Sequence, residues 1–386
     1  MSRPPWLDDA DERVARAAWS RLAEPGDHDA GRFVRRFGAV AALRQVYDRG
    51  PVGVEVSERV SQGEAVAARW RVRAGDLDPR RDLLHLDRFG GRVVVPGDPE
   101  WPTGLDDLQH RAPFCLWVRG PRSVAPVMES SVSVVGARAA TWYGERVAGD
   151  IGVGCAAAGI TVVSGAAYGI DAAAHRATLQ ADGVTVAVLA CGVDRGYPRG
   201  NDRLIEAVAD SGCLVSEVPP GSAPSRWRFL ERNRLIAAMT RGTVVVEAAW
   251  RSGAQGTAHQ ALELGRAVGA VPGPVTSALS AGCHRLLRDG ATCVTDAAEV
   301  VELVSPVGFL DLGPPGTMRV AAVGEHDGLA PLELRVLDAV PLRSAAGAAA
   351  IARTAGLPLE QVQAGLGRLE ARGLAEVVGR GWRRVR

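Results

Sequence analysis

Apolar residues recur at three- and four-residue spacings in "DERVARAAWSRL", "AGRFVRRFGAVAALRQVYDRG" and "GEAVAARWRVRAG". That spacing predicts amphipathic helices, and with them an N-terminal helical domain over residues 1–85. The pattern then changes. "RVVVPGDPEWP" and "PFCLWVRGP" read as two short strands bounded by proline and glycine. From Ser131 onward, short apolar runs alternate with helical periods. "SVSVVGA" leads to a helix from Tyr143 to Ala158, and "ITVVSG" to one from Ile170 to Gln180. "VTVAVLACG", "CLVSEVPPG" and "TVVVEAA" each lead into another, the last at "GTAHQALELGRAVG"; "AVPGP" and "ATCV" are expected to finish the sheet. Strands that are apolar throughout, without alternation, belong to sheets covered on both faces. The expectation for residues 86–305 is therefore an α/β domain, a doubly wound and mainly parallel sheet.

Residues 306–330 are rich in glycine and proline and read as a linker. Residues 331–386 read as three short helices, the third opened by Pro358, and then a hairpin turning at Gly379 and Gly381. Helices followed by a hairpin predict a winged-helix domain, whose ligand could be duplex DNA or a protein. Its nine arginines against five carboxylates make it mildly basic, which a solvated surface explains as well as DNA does.

Composition narrows the function classes. The 386 residues are 47% apolar, enough for a sizeable core. No apolar run approaches the roughly 18–20 residues of a membrane helix. The stretch "MSRPPWLDDADERV" lacks the apolar centre of a secretory signal. The six cysteines never form Cys-x-x-Cys and read as small buried residues, which fits a reducing, cytoplasmic location. Net charge is only +1, but the chain has no lysine: all 45 basic residues are arginine. That excludes a Walker-A lysine, Schiff-base chemistry and a lysine base. Any cationic phosphate contact must come from a guanidinium.

The informative loops follow the carboxyl ends of the strands, where doubly wound sheets bind ligands. After the first parallel strand come Gly136, Ala137 and Arg138, with a single glycine where a dinucleotide fingerprint needs three. After the second come Ser164 and Gly165, then Tyr168, Gly169 and Asp171. A glycine turn opening a helix presents backbone amides to an anion, here expected to be a phosphate. "SRWRFLERNR" places Arg226, Arg228, Arg232 and Arg234 among Trp227 and Phe229, a mixture suited to single-stranded nucleic acid or, equally, to a solvated helix start. No His-Glu-x-x-His, zinc-ligand spacing or Gly-x-Ser-x-Gly elbow is present, and His175 and His259 read as packed helix residues. Gly256-Thr257 at a helix start, followed by Glu263, weakly resembles the loop of nucleoside-monophosphate phosphoribohydrolases. That leaves open an alternative, hydrolysis of a nucleoside monophosphate with Glu247 or Asp171 as the acid.

Taken together, "SVSVVGARAATWYGE", "VVSGAAYGIDAAAHRATL", "TVAVLACGVDRGYPRGNDRLIEAV", "GCLVSEVPPGSAP", the block from Phe229 to Val275 and "LRDGATCV" resemble, in order and spacing, the DNA-processing protein A family, also called DprA/Smf. The resemblance implies an extended Rossmann-like domain that binds single-stranded DNA, pairing into homodimers, and loading of the RecA recombinase onto DNA taken up in natural transformation. It implies no catalysis, no cofactor and no metal. It carries DNA-contacting roles onto Gly136, Ala137, Arg138, Ser164, Gly165, Tyr168, Gly169, Arg226, Phe229, Arg232, Asn233, Arg234, Ser252 and Gly253. Tyr168 stands where the family usually has arginine, Ala137 where it has serine, and Leu230 where it has proline.

Overall fold

A computed structural model of the chain describes residues 3–48, 60–305, 329–342, 344–379 and 381–385, with backbone alone over 60–66. It divides into two compact units, Met1–Leu310 and Asp311–Arg386. Most of the expected linker, 306–328, lies outside the described residues.

Among its described residues the first unit opens with the α-helices α1 (Glu12–Leu22), α2 (His28–Phe37), α3 (Ala39–Tyr47), α4 (Val60–Ala74) and α5 (Pro79–Asp87). Aspartates start three of them. Asp11, Asp27 and Asp78 accept hydrogen bonds from first-turn amides that otherwise lack partners. The apolar stripes meet in an aromatic cluster. Trp19 lies 6.1 Å from Phe33, 5.2 Å from Trp70 and 5.8 Å from Phe114, centroid to centroid. Phe114 belongs to the segment entering the sheet, so these helices share their core with the element that follows.

That element is a nine-stranded sheet in the order β1-β2-β6-β5-β4-β3-β7-β8-β9. The strands are β1 (Gly91–Val94), β2 (Leu116–Arg119), β3 (Ser131–Val135), β4 (Thr161–Ser164), β5 (Thr185–Leu189), β6 (Cys213–Ser216), β7 (Gly242–Val245), β8 (Ala267–Ala270) and β9 (Thr292–Cys293). From β6 to β9 every pairing is parallel; β1 and β2 add an antiparallel edge. The helices are α6 (Val124–Met128), α7 (Trp142–Ala157), α8 (Ile170–Gln180), α9 (Asp202–Ser211), α10 (Arg226–Met239), α11 (Gly253–Glu263), α12 (Ala281–Arg288) and α13 (Ala297–Val304). Successive residues of one strand serve different layers. Val132 and Val134 pack with Ile151 and Ala174 of α7 and α8, whereas Val135 packs with Leu235 and Ile236 of α10. Both layers are apolar, which is why the strands carry no polar alternation.

Two expectations need correction. The helix expected to run through "GRAVG" stops at Glu263, and residues 267–270 form β8, earlier than the "AVPGP" strand expected there. Gly265 is the cause: at φ +67° it takes the left-handed conformation that ends the helix, and Arg266 N–H closes back on Ala261 O at 2.8 Å. Five cysteines are buried as expected, but Cys293 is exposed on the two-residue edge strand.

The second unit is three helices, α14 (Pro331–Ala339), α15 (Ala348–Ala355) and α16 (Leu359–Ala371), followed by the antiparallel ribbon β10 (Ala375–Val378) and β11 (Gly381–Arg384). Its core is Leu337, Ile351, Leu366 and their neighbours. Gly356 and Gly379 take left-handed φ at the end of α15 and at the ribbon turn. Ala346 pairs with Trp382, adding a third short piece to the ribbon in the manner of a winged helix.

Trp19 is fully buried and its indole N–H donates to Ala39 O at 3.0 Å. Trp19→Ala is expected to lower unfolding free energy by about 3–5 kcal/mol, read from urea titration. Trp19→Phe, which keeps most of the volume, should lose clearly less.

Candidate functional site

The chain moves outward from β3 to β6, then returns to place β7 on the other side of β3. The loops after β3 and β7 therefore diverge, opening a crevice at the carboxyl edge of the sheet. A cleft of about 580 Å³ lies there, lined by Gly136 to Arg138, Asp171, the outer half of α10 and the Ser252-Gly253 loop. Its walls are close-built. A Cβ on Gly136 would stand 2.5 Å from Ile170 Cγ1 and 2.9 Å from Glu247 O, so only glycine lets the β3 loop pass between them.

The turn after β4 has its amides satisfied from within. Gly165 N–H and Ala167 N–H both donate to Asp171 Oδ2, at 3.1 and 3.3 Å, and Ser164 Oγ–H donates to Val134 O at 2.6 Å. The anion facing the Gly165 and Ala167 amides is thus the chain's own carboxylate. Ser164 and Gly165 support the cleft from behind. Gly165 has a further role: the guanidinium of Arg232 lies where its Cβ would be, with Nη1 2.0 Å from that position. Gly169, at φ +73°, allows the chain to pass Ala137 O, which a Cβ would approach to 2.3 Å.

The arginines divide sharply by environment. Arg138 and Arg226 are exposed and have no carboxylate or hydrogen-bond partner among the described residues. The Arg138 guanidinium sits 4.9 Å over the ring of half-buried Phe229. Arg232 lies beneath, buried, donating through Nη1 to Val188 O and through Nε to Asn233 Oδ1 at 3.3 Å. Burial lowers its pKa and raises that of Asp171, while attraction between the two opposes both shifts. Arg234 is not at the rim. It is fully buried and forms a two-pronged bond to Glu217, at 2.6 and 2.8 Å, with Glu231 3.6 Å from its Nε. Arg228 is likewise occupied, bonding Glu24 at 3.0 Å. Of the four arginines in "SRWRFLERNR", one is free at the rim and one forms its floor.

The remaining residues of interest are distributed around this centre. Asn233 donates to Gly253 O at 3.2 Å, tying α10 to the start of α11. Ser252 Oγ is buried without a partner in the cleft wall. Tyr168 and Gly169 lie outside the lining; Tyr168 is exposed, its hydroxyl against Gly200. Arg251, exposed and without a partner among the described residues, directly before Ser252, was not picked out from the sequence, although a cation beside a glycine loop is a usable signal. α11 starts at Gly253, so Gly256-Thr257 falls inside it rather than at its start. The carboxylates considered as catalytic acids have work in the fold. Glu247 accepts from Thr141 N–H at 2.9 Å and Thr141 Oγ–H at 2.6 Å, and Asp171 holds the β4 turn. Among the described residues no cluster of His, Cys, Asp or Glu could hold a metal ion, and no helix is long and apolar enough to cross a membrane.

His175 is fully buried on α8. Its Nδ1 lies 2.6 Å from Thr185 Oγ1, whose own proton goes to Val162 O at 2.6 Å. The ring must therefore donate from Nδ1, leaving Nε2 bare and without a partner. Burial, reinforced by Arg232, pushes its pKa down to about 3.

A doubly wound, mainly parallel sheet with a cleft at its switch point defines a Rossmann-like protein. Residues 92–305 match the model of the DNA recombination-mediator protein A family. The chain is 46% identical over 384 aligned residues to a DNA processing protein DprA of Mycobacterium tuberculosis H37Rv, covering 96% of this chain and 94% of the relative. It is 41% identical over 212 residues to protein Smf of Escherichia coli K12, covering 54% and 56%. Among solved structures, DprA of Streptococcus pneumoniae superposes with a TM-score of 0.59 at 29% identity, over 77% of this chain and 99% of that one. DprA of Helicobacter pylori, described for its single-stranded DNA binding mode, shares the fold at a TM-score of 0.50 and 24% identity, over 55% and 95%. The chain belongs to the DNA recombination-mediator protein A family, the DprA/Smf proteins.

Arg234→Ala would leave Glu217 charged and unpaired in the interior. The expected loss is about 3–5 kcal/mol of stability in denaturant titration, against less than about 0.5 kcal/mol for Arg138→Ala at the surface. Acid should act through His175. Its folded pKa is depressed, so between pH 6.5 and about 3 the unfolded chain binds a proton that the folded chain does not. Stability should fall on acidification through that window by up to about 1.4 kcal/mol per pH unit from this group. Thermal melts at stepped pH should display that slope, and His175→Gln should reduce it.

Proposed function

We propose that this chain binds single-stranded DNA across the switch-point cleft, acting as a carrier rather than as an enzyme. Arg138 and Arg226 would contact backbone phosphates, and Phe229, held against the Arg138 guanidinium, would offer a face to a base. Gly136, Ala137, Asn233, Ser252 and Gly253 would line the path, where small side chains and the Ser252 hydroxyl let the backbone come close. Arg232 would add positive potential from below, and Arg234 would contribute only by holding α10 in place. The observation that carries this reading is that Arg138 and Arg226, without partners among the described residues, line one cleft together with Phe229, over which the Arg138 guanidinium sits. Family membership supports it, as does the absence of a spare carboxylate in the lining.

The mediator description of the family supports a finer reading: in the cytoplasm, a homodimer of this chain protects DNA entering during natural transformation and hands the strand to the RecA recombinase. The winged helix would add a second contact, to duplex DNA or to a protein.

The decisive experiment is a titration of fluorescent oligo-dT across salt concentrations. Wild type should bind with a log-log slope of about −0.7 per phosphate contacted. The double variant Arg138→Ala, Arg226→Ala should lose two contacts of slope and bind at least about tenfold more weakly at low salt. Equal affinity in variant and wild type would refute the assignment.

A further inference from the structure

The N-terminal helices take no part in the reading so far, yet one of them carries charge that nothing in the fold answers. We infer that His28, Arg32 and Arg35 of α2, together with His110, form a separate anion site, one that takes a phosphate group carrying two negative charges and holds it more tightly as the histidines gain protons. None of these four residues lines the switch-point cleft, so the inference does not rest on DNA binding there.

The spacing of His28, Arg32 and Arg35 along the helix places them on one face of α2. The backbone brings His110 to that face. Gly31 has no side chain, and a Cβ there would collide with His110 O, so α2 rests directly on this residue. The 3-10 segment Thr103–Arg111 breaks at Gln109, with φ +52° and ψ −114°, immediately before it. The His28 and His110 rings then meet edge to face, 5.1 Å between centroids.

The charges of this cluster are unanswered. His28, Arg32 and Arg35 are exposed, and the two guanidinium groups have no partner among the described residues. His110 is half-buried, and its Nδ1 is buried without a hydrogen bond. Burial lowers the His110 pKa, and repulsion from His28, Arg35 and Arg32 lowers it further. The field at its ring is therefore cationic. The carboxylates on the packed elements are directed elsewhere. Asp27 caps α2 and accepts from Trp70 Nε1 at 3.2 Å, and Asp29 pairs with Arg69 of α4 at 3.1 Å. Asp106 accepts from the Trp101 indole at 3.0 Å, Asp107 pairs with Arg266 at 2.6 Å, and Glu231 of α10 accepts from Arg111 at 3.0 Å. Glu263 of α11 accepts from Gln260 at 3.0 Å. A hollow of about 680 Å³, lined by Arg35 and His110, leaves room for a ligand beside them. A phosphate dianion suits the set: guanidinium grips two of its oxygens at once, and each imidazolium adds a charged donor.

Sulfate is the probe, because it keeps both charges over the range in which histidine titrates. Its binding to the full chain is read by NMR from the ring resonances of His28 and His110. The dissociation constant should be at least about fivefold lower at about pH 5.5 than at about pH 7.5, since each imidazolium adds a charge that the neutral ring lacks. Arg32→Gln with Arg35→Gln should raise it at least about tenfold. Both side chains are exposed, so this variant should melt with wild type. His28→Gln should flatten the pH dependence while binding at about pH 7.5 stays near wild type. A 5′-phosphate on oligo-dT then separates two sources of the same chemistry. A gain in affinity that the arginine variant loses identifies a strand end as the ligand; sulfate binding without such a gain identifies a free anion. Sulfate that leaves both rings unmoved, or moves them equally in the arginine variant, overturns the inference, as does binding that does not tighten in acid. Arg138→Ala, Arg226→Ala should bind sulfate here as wild type does, so a failure of oligo-dT binding at the cleft is read separately.

Discussion

The cleft depends on one buried guanidinium. Arg232 lies flat on Gly165, in the space a Cβ would fill, while Asp171 clamps the same turn through the Gly165 and Ala167 amides. A cation with hydrogen bonds to Val188 O and to Asn233 is thereby fixed between α10, β5 and the β4 turn. Each partner restrains the others. Without the glycine the arginine has no seat, and without the aspartate the turn has free amides and the cation no nearby counter-charge. Phe229 and Arg226 at the rim are carried by the helix that Arg232 pins down.

α10 divides its labour along its length. Its last turns, Leu235 to Met239, are core, and its first turns, Arg226 to Leu230, are exposed or half-buried. Arg234 marks the border, spent on Glu217 and Glu231 inside the protein. The exposed arginine and the arginines spent on ion pairs are therefore different residues of one short segment. Glu217 follows β6 and Glu24 follows α1, so the partners that consume Arg234 and Arg228 come from distant parts of the chain.

That distance sets what could be read from the sequence. The layering was legible because buried parallel strands leave continuous apolar runs, and the switch-point loops followed from strand order. The helix start at Ser225 and the αL stop at Gly265 are local signals, and both were overlooked: the helix was expected at "RNRLIAAMTRG" but begins at Arg226, and missing the stop displaced β8. Which arginines are free was not legible. Helical periodicity gives a face, but only the fold reveals that a glutamate on another strand waits behind it. The Ser164-Gly165 turn misled for the same reason: amides arranged for an anion look alike whether the anion is a ligand or Asp171, six residues on.

A rim made wholly of guanidinium groups, in a chain without a single ammonium side chain, has an unusual electrical property. Guanidinium keeps its proton far into alkali, beyond the point where lysine would discharge. Exposed guanidinium groups at this rim therefore stay cationic across the ordinary range of pH. Acidity acts on the scaffold beneath, at groups such as His175, whereas added electrolyte acts on the surface directly. The two variables address separate layers of the same molecule.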